Sequence, residues 1–239
     1  MSIYAKDVRV LIINGSPRKK NNSSMFVNAA VKGVESLGAT AVVYDLAGKR
    51  FEHCLETCKA YHKRTGNCMI DDDLHELSNE WIRADGLIYV APLFHMGMPS
   101  AMYAIITRLG ATVYGHCDGK PPRLLKAGGA VVHGNTQYGG QEMVMEYLNA
   151  HLMLMNCVPV TGDKPESYIG TGARVLNDGT IERNDEILEN TYSLGRRVVE
   201  MANILNAGKT VLRDSLPEEY LYDANRKFCA PKKNTDDPK

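Results

Sequence analysis

Five short apolar runs recur along the chain and constrain its fold more than any other feature. The first, VRVLII over residues 8–13, is rich in β-branched residues and does not alternate with polar ones. Such a run is typical of a strand buried on both faces of a parallel sheet. The others lie at residues 41–44, 86–91 and 129–132 and, more weakly, at 157–161.

Segments of helical length and period separate these runs, so the order is β-α-β-α. This order predicts an α/β fold, a doubly wound parallel sheet of five strands with helices on both faces. Ligands bind such a sheet at the carboxyl ends of its strands, near the point where the strand order reverses.

The chain of 239 residues suits one α/β domain with additions. We expect this domain over residues 1–206, interrupted by insertions at about 47–70 and 162–182. The first insertion is rich in Cys, His, Lys and Arg, and the second in Gly and polar residues. Residues 207–239 lack a regular period and are predicted to form a C-terminal extension.

Charge and hydropathy exclude several classes of partner. The 28 Lys and Arg residues balance 28 Asp and Glu residues, so no global field favours nucleic acid. Nothing approaches the 18 consecutive apolar residues of a membrane span. The six cysteines, at positions 54, 58, 68, 117, 157 and 229, are scattered in a way that suggests reduced thiols. The expectation is a soluble cytoplasmic protein without a nucleic-acid or membrane partner.

The loop after the first strand, GSPRKKNNSS over residues 15–24, opens a helix-like segment. The N-terminus of a helix attracts anions through unpaired backbone N–H groups and its dipole. The loop adds serine hydroxyls, the guanidinium of Arg18 and the amide of Asn22, a donor set that suits a phosphate monoester. A capped helix with Asn22 or Ser23 as N-cap explains the same residues. The loop alone leaves both interpretations open.

The stretch Gly15-Ser16-Pro17-Arg18-Lys19-Lys20-Asn21-Asn22-Ser23 resembles the G-S-P-R-x-x-G-N-T/S signature of the NADPH-dependent FMN reductase family, including its iron-sulfur flavoprotein relatives. Further segments resemble the family's motifs in the same order: CMIDDDL at 68–74, ADGLI at 84–88, APLF at 91–94, Ser100-Ala101-Met102 with Arg108, Lys120-Pro121, Gly134, GGQE at 139–142 and LGRR at 194–197. The resemblance covers about residues 7–205 and implies a flavodoxin-like fold.

The resemblance also implies an FMN site. Ser16, Arg18, Asn22 and Ser23 would hold the phosphate, with Ser24 as an additional donor. The ring would lie against the loop of Pro92, Leu93, Phe94, His95, Met96 and Gly97, mainly through backbone amides. The loop after the fourth strand would close over it, with Gly134, Asn135, Gly139 and Gly140. No side chain is assigned as a catalytic acid or base.

Four positions near this site depart from the family pattern. Asn21 occupies a usual glycine position, Phe94 replaces tyrosine, and Tyr103 and Thr107 stand where lysine and aspartate are common. Phosphate binding is compatible with these changes, whereas they alter the side chains expected near the ring.

The resemblance implies an oxidoreductase that takes electrons from NAD(P)H and passes two at a time through FMN to a small acceptor such as a quinone or flavin. An electron carrier of the flavodoxin or iron-sulfur flavoprotein type is the alternative. Flavodoxins are typically acidic and this chain has no net charge, which favours the enzyme. A homo-oligomer, a dimer or tetramer, is expected, with Met96, Met98, Met102 and Tyr103 forming an adaptable surface beside the ring loop.

Iron-sulfur relatives carry four cysteines in the pattern C-x2-C-x2-C-x4–7-C before the third strand. This chain has three, spaced Cys54-x3-Cys58-x9-Cys68. Because a four-iron cluster is held by four thiolates, we assign no metal ligand here and expect a metal-free loop. A zinc site of three cysteines with His53 or His62, or a cluster completed by Cys117, is the alternative.

Overall fold

The computed structural model describes residues 8–56, 58, 61, 68–116, 125–162, 167–217 and 220. Its strands are β1 (Arg9–Asn14), β2 (Thr40–Asp45), β3 (Gly86–Pro92), β4 (Lys126–Gly134), β5 (Cys157–Pro159) and β6 (Thr171–Arg174). Its helices are α1 (Ser23–Glu35), α2 (Leu74–Arg83), α3 (Ser100–His116), α4 (Gln141–Leu154) and α5 (Asn184–Val211).

The sheet has the strand order β2-β1-β3-β4-β5, and all of its strand pairs are parallel. This is the flavodoxin-like order, in which the chain reverses direction across the sheet between β1 and β3. The predicted doubly wound sheet of five strands is therefore confirmed, and so is the flavodoxin-like fold.

A sixth strand, β6, was not predicted. It pairs in parallel with the second half of β4, from Val131 to Gly134, while β5 pairs with the first half. Its sequence, TGAR, is short and lacks an apolar run, so no pattern indicated a strand within the insertion at 162–182.

The core consists of two layers, one on each face of the sheet. Alternate side chains of β1 point to opposite faces, with Leu11 and Ile13 in one layer and Val10 and Ile12 in the other. Helices α2, α3 and α4 cover the first layer, and α1 and α5 cover the second. Burial on both faces explains why this strand reads as a continuous apolar run.

Helix α5 continues to Val211, past the boundary predicted at residue 206. Most of the C-terminal extension predicted over 207–239 lies outside the described residues, so that domain boundary stays a prediction. Among the described residues, no helix has the length and apolarity needed to span a bilayer.

Candidate functional site

A cavity of about 330 Å³ opens at the carboxyl ends of β1, β3 and β4, where the strand order reverses. Ligands bind at this position in doubly wound sheets. Three loops and a hairpin form its walls, and its lining comprises Ser16, Arg18, Lys20, Asn21, Asn22, Ser23, Pro92, Leu93, Phe94, His133, Gly134, Asn135, Val175, Leu176 and Asn177.

A chain of hydrogen bonds fixes the loop that follows β1. The Asn14 amide donates to Asp45 Oδ1 at 2.7 Å, and its oxygen accepts from the backbone N–H of Ser16 at 3.2 Å. The Arg18 N–H then donates to Ser16 Oγ at 3.3 Å. Because Ser16 Oγ acts as an acceptor here, its own hydroxyl proton is available to a ligand in the cavity.

Gly15 is needed in this loop for close packing. Its φ is not positive, but a Cβ atom at this position would lie 2.1 Å from Met102 Sδ. Any side chain would therefore push the loop away from α3.

The first turn of α1 is organised for an anion. Asn22 holds the N-cap position, yet its side chain makes no capping hydrogen bond. Asn21 caps instead, because its Oδ1 accepts from the backbone N–H of Ser24 at 3.0 Å and from the Ser24 hydroxyl at 3.2 Å. The first turn contains no acidic residue that would oppose an anion.

The charges around the cavity have one sign. Among the residues that the structure describes, its lining contains the cations Arg18 and Lys20 and no carboxylate. Together with two serine hydroxyls and the asparagine amides, this is a donor set for a phosphate group. The residues present therefore fit the phosphate of a mononucleotide.

His133 forms the floor of the phosphate end of the cavity. Its Nε2 lies 2.7 Å from Ser23 Oγ, and its ring stacks on Phe26 with centroids 5.0 Å apart and an interplanar angle of 20°. Burial lowers the pKa of His133 to about 4, so the imidazole is neutral at pH 7.

The loop after β3 ends in a tight two-residue turn. The Phe94 N–H donates to the Gly97 carbonyl at 2.8 Å, and the Gly97 N–H donates back at 2.9 Å. Between them, His95 and Met96 have φ values of 48° and 63°, the pattern of a type I′ turn. The turn projects outward, since the side chains of Phe94 and Met96 are 41% and 58% exposed.

The loop after β4 is pressed against this turn. Gly140 has a φ of 103°, and a Cβ atom there would lie 3.0 Å from the Met96 carbonyl oxygen. Gln141 holds the loop closed, because its side chain accepts from the Gly139 N–H at 3.0 Å and donates to the Thr136 carbonyl at 2.6 Å. The two loops thus form one rigid edge beside the cavity.

Comparison with known proteins bears on this geometry. Residues 8–165 match the model of a protein family described as NADPH-dependent FMN reductase. The chain belongs to the NADPH-dependent FMN reductase family. Membership supports an FMN-dependent oxidoreductase as the broad functional class.

The relatives include iron-sulfur flavoproteins. One from Methanocaldococcus jannaschii is 25% identical over 83% of this chain and 99% of its own length. One from Archaeoglobus fulgidus is 30% identical over 79% of this chain and 77% of its own length. A solved flavodoxin, WrbA-like protein from Agrobacterium tumefaciens shares the fold, with a TM-score of 0.54, 14% identity and coverage of 83% of this chain and 98% of its own.

The structure separates the predicted site residues into two groups. Those that line the cavity are Ser16, Arg18, Asn22, Ser23, Pro92, Leu93, Phe94, Gly134 and Asn135. The others lie beside it without lining it, namely Ser24, His95, Met96, Gly97, Gly139 and Gly140. Ser24 belongs to the second group because its hydroxyl and N–H are engaged by Asn21.

Sequence analysis missed one wall of this FMN reductase cavity, a hairpin that follows β6. Val175 and Ile181 pair across it, the Leu176 N–H donates to the Thr180 carbonyl at 2.8 Å, and Asn177 accepts from the Asn135 amide at 2.5 Å. No motif marks this segment. His133, also missed, carried a usable signal, because it is a polar residue at the carboxyl end of an apolar strand.

The segment CMIDDDL at 68–74 and Arg108, which resemble family motifs, serve a structural role in this chain. Arg108 donates to both carboxylate oxygens of Asp72, at 2.5 and 2.9 Å, and the two side chains are 1% and 0% exposed. The guanidinium also donates to the Glu52 carbonyl at 2.8 Å and to Cys68 Sγ at 3.2 Å. This buried cluster ties the first insertion to α3.

Burial alone would raise the pKa of Asp72, but hydrogen bonds outweigh it. The guanidinium of Arg108 and the backbone N–H groups of Glu52 and Leu74 all donate to this carboxylate. The pKa of Asp72 is therefore below its ordinary value.

Of the three clustered cysteines, Cys54 is exposed, whereas Cys58 and Cys68 are buried. In the part of the chain that the structure describes, no three His, Cys, Asp or Glu side chains are grouped as metal ligands. Cys117, which could complete a cluster from a distance, lies outside the described residues.

Proposed function

We propose that this protein is an FMN-dependent NAD(P)H oxidoreductase that passes two electrons to a small acceptor such as a quinone or a flavin. One observation carries the proposal. The phosphate-type loop after β1, the turn after β3 and the loop after β4 all meet at one cavity at the strand-order reversal.

In this proposal the phosphate of FMN is held by Ser16, Arg18, Asn22 and Ser23. Their hydroxyl, guanidinium and amide donors face a cavity without carboxylates. Lys20 adds a second cation at the same end. The N-terminus of α1 contributes the positive end of the helix dipole.

The turn Phe94–Gly97 and the loop 134–140 orient the ring and limit its contact with water. When bound, FMN supplies the two-electron chemistry, taking a hydride from a nicotinamide and giving electrons to an acceptor. The protein contributes position, backbone hydrogen bonds and a shaped wall. The proposal assigns no side-chain acid or base, and the titratable side chains of the described cavity lining are His133, Arg18 and Lys20.

The nicotinamide and the acceptor are proposed to use the same exposed side of the ring in turn. The sequence contains no second dinucleotide-binding fingerprint that would build a separate nicotinamide site. Shared occupancy predicts ping-pong kinetics with parallel double-reciprocal lines. Intersecting lines would contradict it.

The direct test is anaerobic. NADPH and NADH are added separately to the FMN-loaded protein, and the loss of visible flavin absorbance is followed. Bleaching by either nicotinamide, reversed by a quinone, supports the enzyme. If neither nicotinamide bleaches the flavin and a protein reductant does, the protein is an electron carrier.

The electron-carrier alternative draws support from the iron-sulfur flavoproteins among the relatives. Cys68 already accepts a hydrogen bond from the buried Arg108, which opposes its use as a cluster ligand. Substoichiometric iron and sulfide in the purified protein is therefore expected. One cluster per chain, lost in Cys58→Ser, would favour the alternative.

A homo-oligomer, a dimer or tetramer, forms part of the proposal. Met96 and Tyr103 are exposed, and Tyr103 packs against the exposed Tyr147 with ring centroids 5.7 Å apart. Met98 and Met102, which the sequence analysis placed on this surface, are buried instead. Sedimentation at micromolar concentration should show a species heavier than the 26.4 kDa monomer.

A further inference from the structure

We propose that His133 is a positioning residue for the cofactor phosphate, in that its Nε2–H donates to Ser23 Oγ and so directs the Ser23 hydroxyl proton into the cavity. The inference rests on the proposed binding of FMN. It adds a role for a residue that the family motifs do not contain.

The geometry fixes both partners of this hydrogen bond. Ser23 is fully buried and His133 almost so, and both line the cavity. Phe26 stacks on the imidazole and holds the ring plane, while Nε2 stays 2.7 Å from Ser23 Oγ.

The surroundings keep the imidazole neutral, so one ring nitrogen carries a proton and the other does not. Its strand neighbours in the sheet are Pro92 and Ala173, neither of which titrates. On α1 it faces Ser23 and Phe26, and the charged groups of the cavity are the cations Arg18 and Lys20. No carboxylate of the described lining stabilises an imidazolium.

The position of Ser23 decides which tautomer of the His133 imidazole is compatible with a bound phosphate. If the hydroxyl of Ser23 donated to Nε2, its oxygen would present only lone pairs to the anion. If Nε2–H donates to Ser23 Oγ, the hydroxyl proton is free for a phosphate oxygen. Ser23 is the first residue of α1, so no preceding helical turn lies behind it to accept that proton. An anion in the cavity therefore selects the second arrangement.

Two substitutions of His133 test the inference by FMN and riboflavin titration of the protein stripped of flavin. His133→Phe keeps a ring against Phe26 and removes the donor, so FMN should bind about tenfold more weakly, the worth of one hydrogen bond to a charged group. Riboflavin, which has no phosphate, should bind as it does to the wild type. His133→Gln, whose amide supplies an N–H near the position of Nε2, should restore most of the FMN affinity.

Coupling to Ser23 completes the test. In a Ser23→Ala background, His133→Phe should cause little further loss of FMN affinity, because the hydroxyl that it positions is gone. His133→Asn, which is too short to reach Ser23, replaces His133→Phe if that variant does not fold.

The outcomes separate this inference from the proposed function. Equal losses for FMN and riboflavin in His133→Phe, or a full additional loss in the Ser23→Ala background, would overturn the role of His133. A wild-type protein that does not prefer FMN over riboflavin would instead overturn the proposed cofactor site.

Discussion

At the scale of single residues, Arg18 is the side chain that most directly tests the phosphate assignment. It lines the cavity, and its guanidinium is suited to bidentate contact with phosphate oxygens. Arg18→Ala should weaken FMN binding about tenfold or more and leave riboflavin binding unchanged. Fluorescence titration of both ligands measures this.

Lys19→Ala is the matched control for Arg18→Ala. Lys19 carries the same charge one position away and does not line the cavity. Its removal should change FMN affinity less than threefold, as expected for an exposed charge screened by solvent. Equal effects of the two substitutions would indicate general electrostatic attraction rather than a phosphate contact.

His95 stores backbone strain in the turn after β3. Its φ of 48° is uncommon for a residue with a side chain, and the side chain itself is exposed. His95→Val should lower the free energy of unfolding by about 1 kcal/mol, because a β-branched residue is disfavoured in this conformation. His95→Asn, which tolerates it, should be neutral. Denaturant unfolding that finds the two variants equally stable would rule out this strain.

At the scale of elements, the Asp72–Arg108 pair connects the first insertion to α3. Removing either partner alone, in Asp72→Asn or Arg108→Met, leaves an unbalanced buried group and should cost about 3–5 kcal/mol of unfolding free energy. The double variant Asp72→Leu/Arg108→Met should cost much less than the sum of the two. Strictly additive losses in a double-mutant cycle would contradict this coupling.

The same pair predicts a pH dependence of stability. Because the folded-state pKa of Asp72 is lowered, its stabilising contribution is complete above the unfolded pKa of about 3.9. It is lost as the pH falls through the folded-state value. Wild-type stability should therefore fall more steeply below about pH 4 than that of Asp72→Asn.

The sequence predicted those elements that have a strong hydrophobic pattern. The strands β1, β3 and β4 are buried on both faces and read as continuous apolar runs, so these strands and the site at their carboxyl ends could be anticipated. The edge strand β2 is mostly exposed or half-buried and was predicted from its short apolar run alone. The strand β6 and the hairpin of Val175–Ile181 could not be anticipated. The four residues of β6, which include a glycine, show no hydrophobic period. The prediction that Met98 and Met102 form a surface was wrong, because an apolar residue beside a loop gives the same sequence pattern whether its side chain packs inward or outward.

At the scale of the whole molecule, the fold brings four separate segments to one cavity. Loops after β1, β3 and β4 and the hairpin after β6 are distant in sequence and meet only because the parallel strands end at one edge. In the proposed function, the donor-rich end holds the phosphate of FMN and the turn Phe94–Gly97 borders the ring.

The most direct measurement is a titration of the flavin-free wild-type protein with FMN and with riboflavin. The two ligands share the ring and differ in the phosphate, so their affinity ratio reports the contribution of the phosphate end alone. At least two charge-assisted hydrogen bonds predict one FMN per chain, bound roughly 100-fold more tightly than riboflavin. Equal affinities would contradict the assignment of this cavity as an FMN phosphate site.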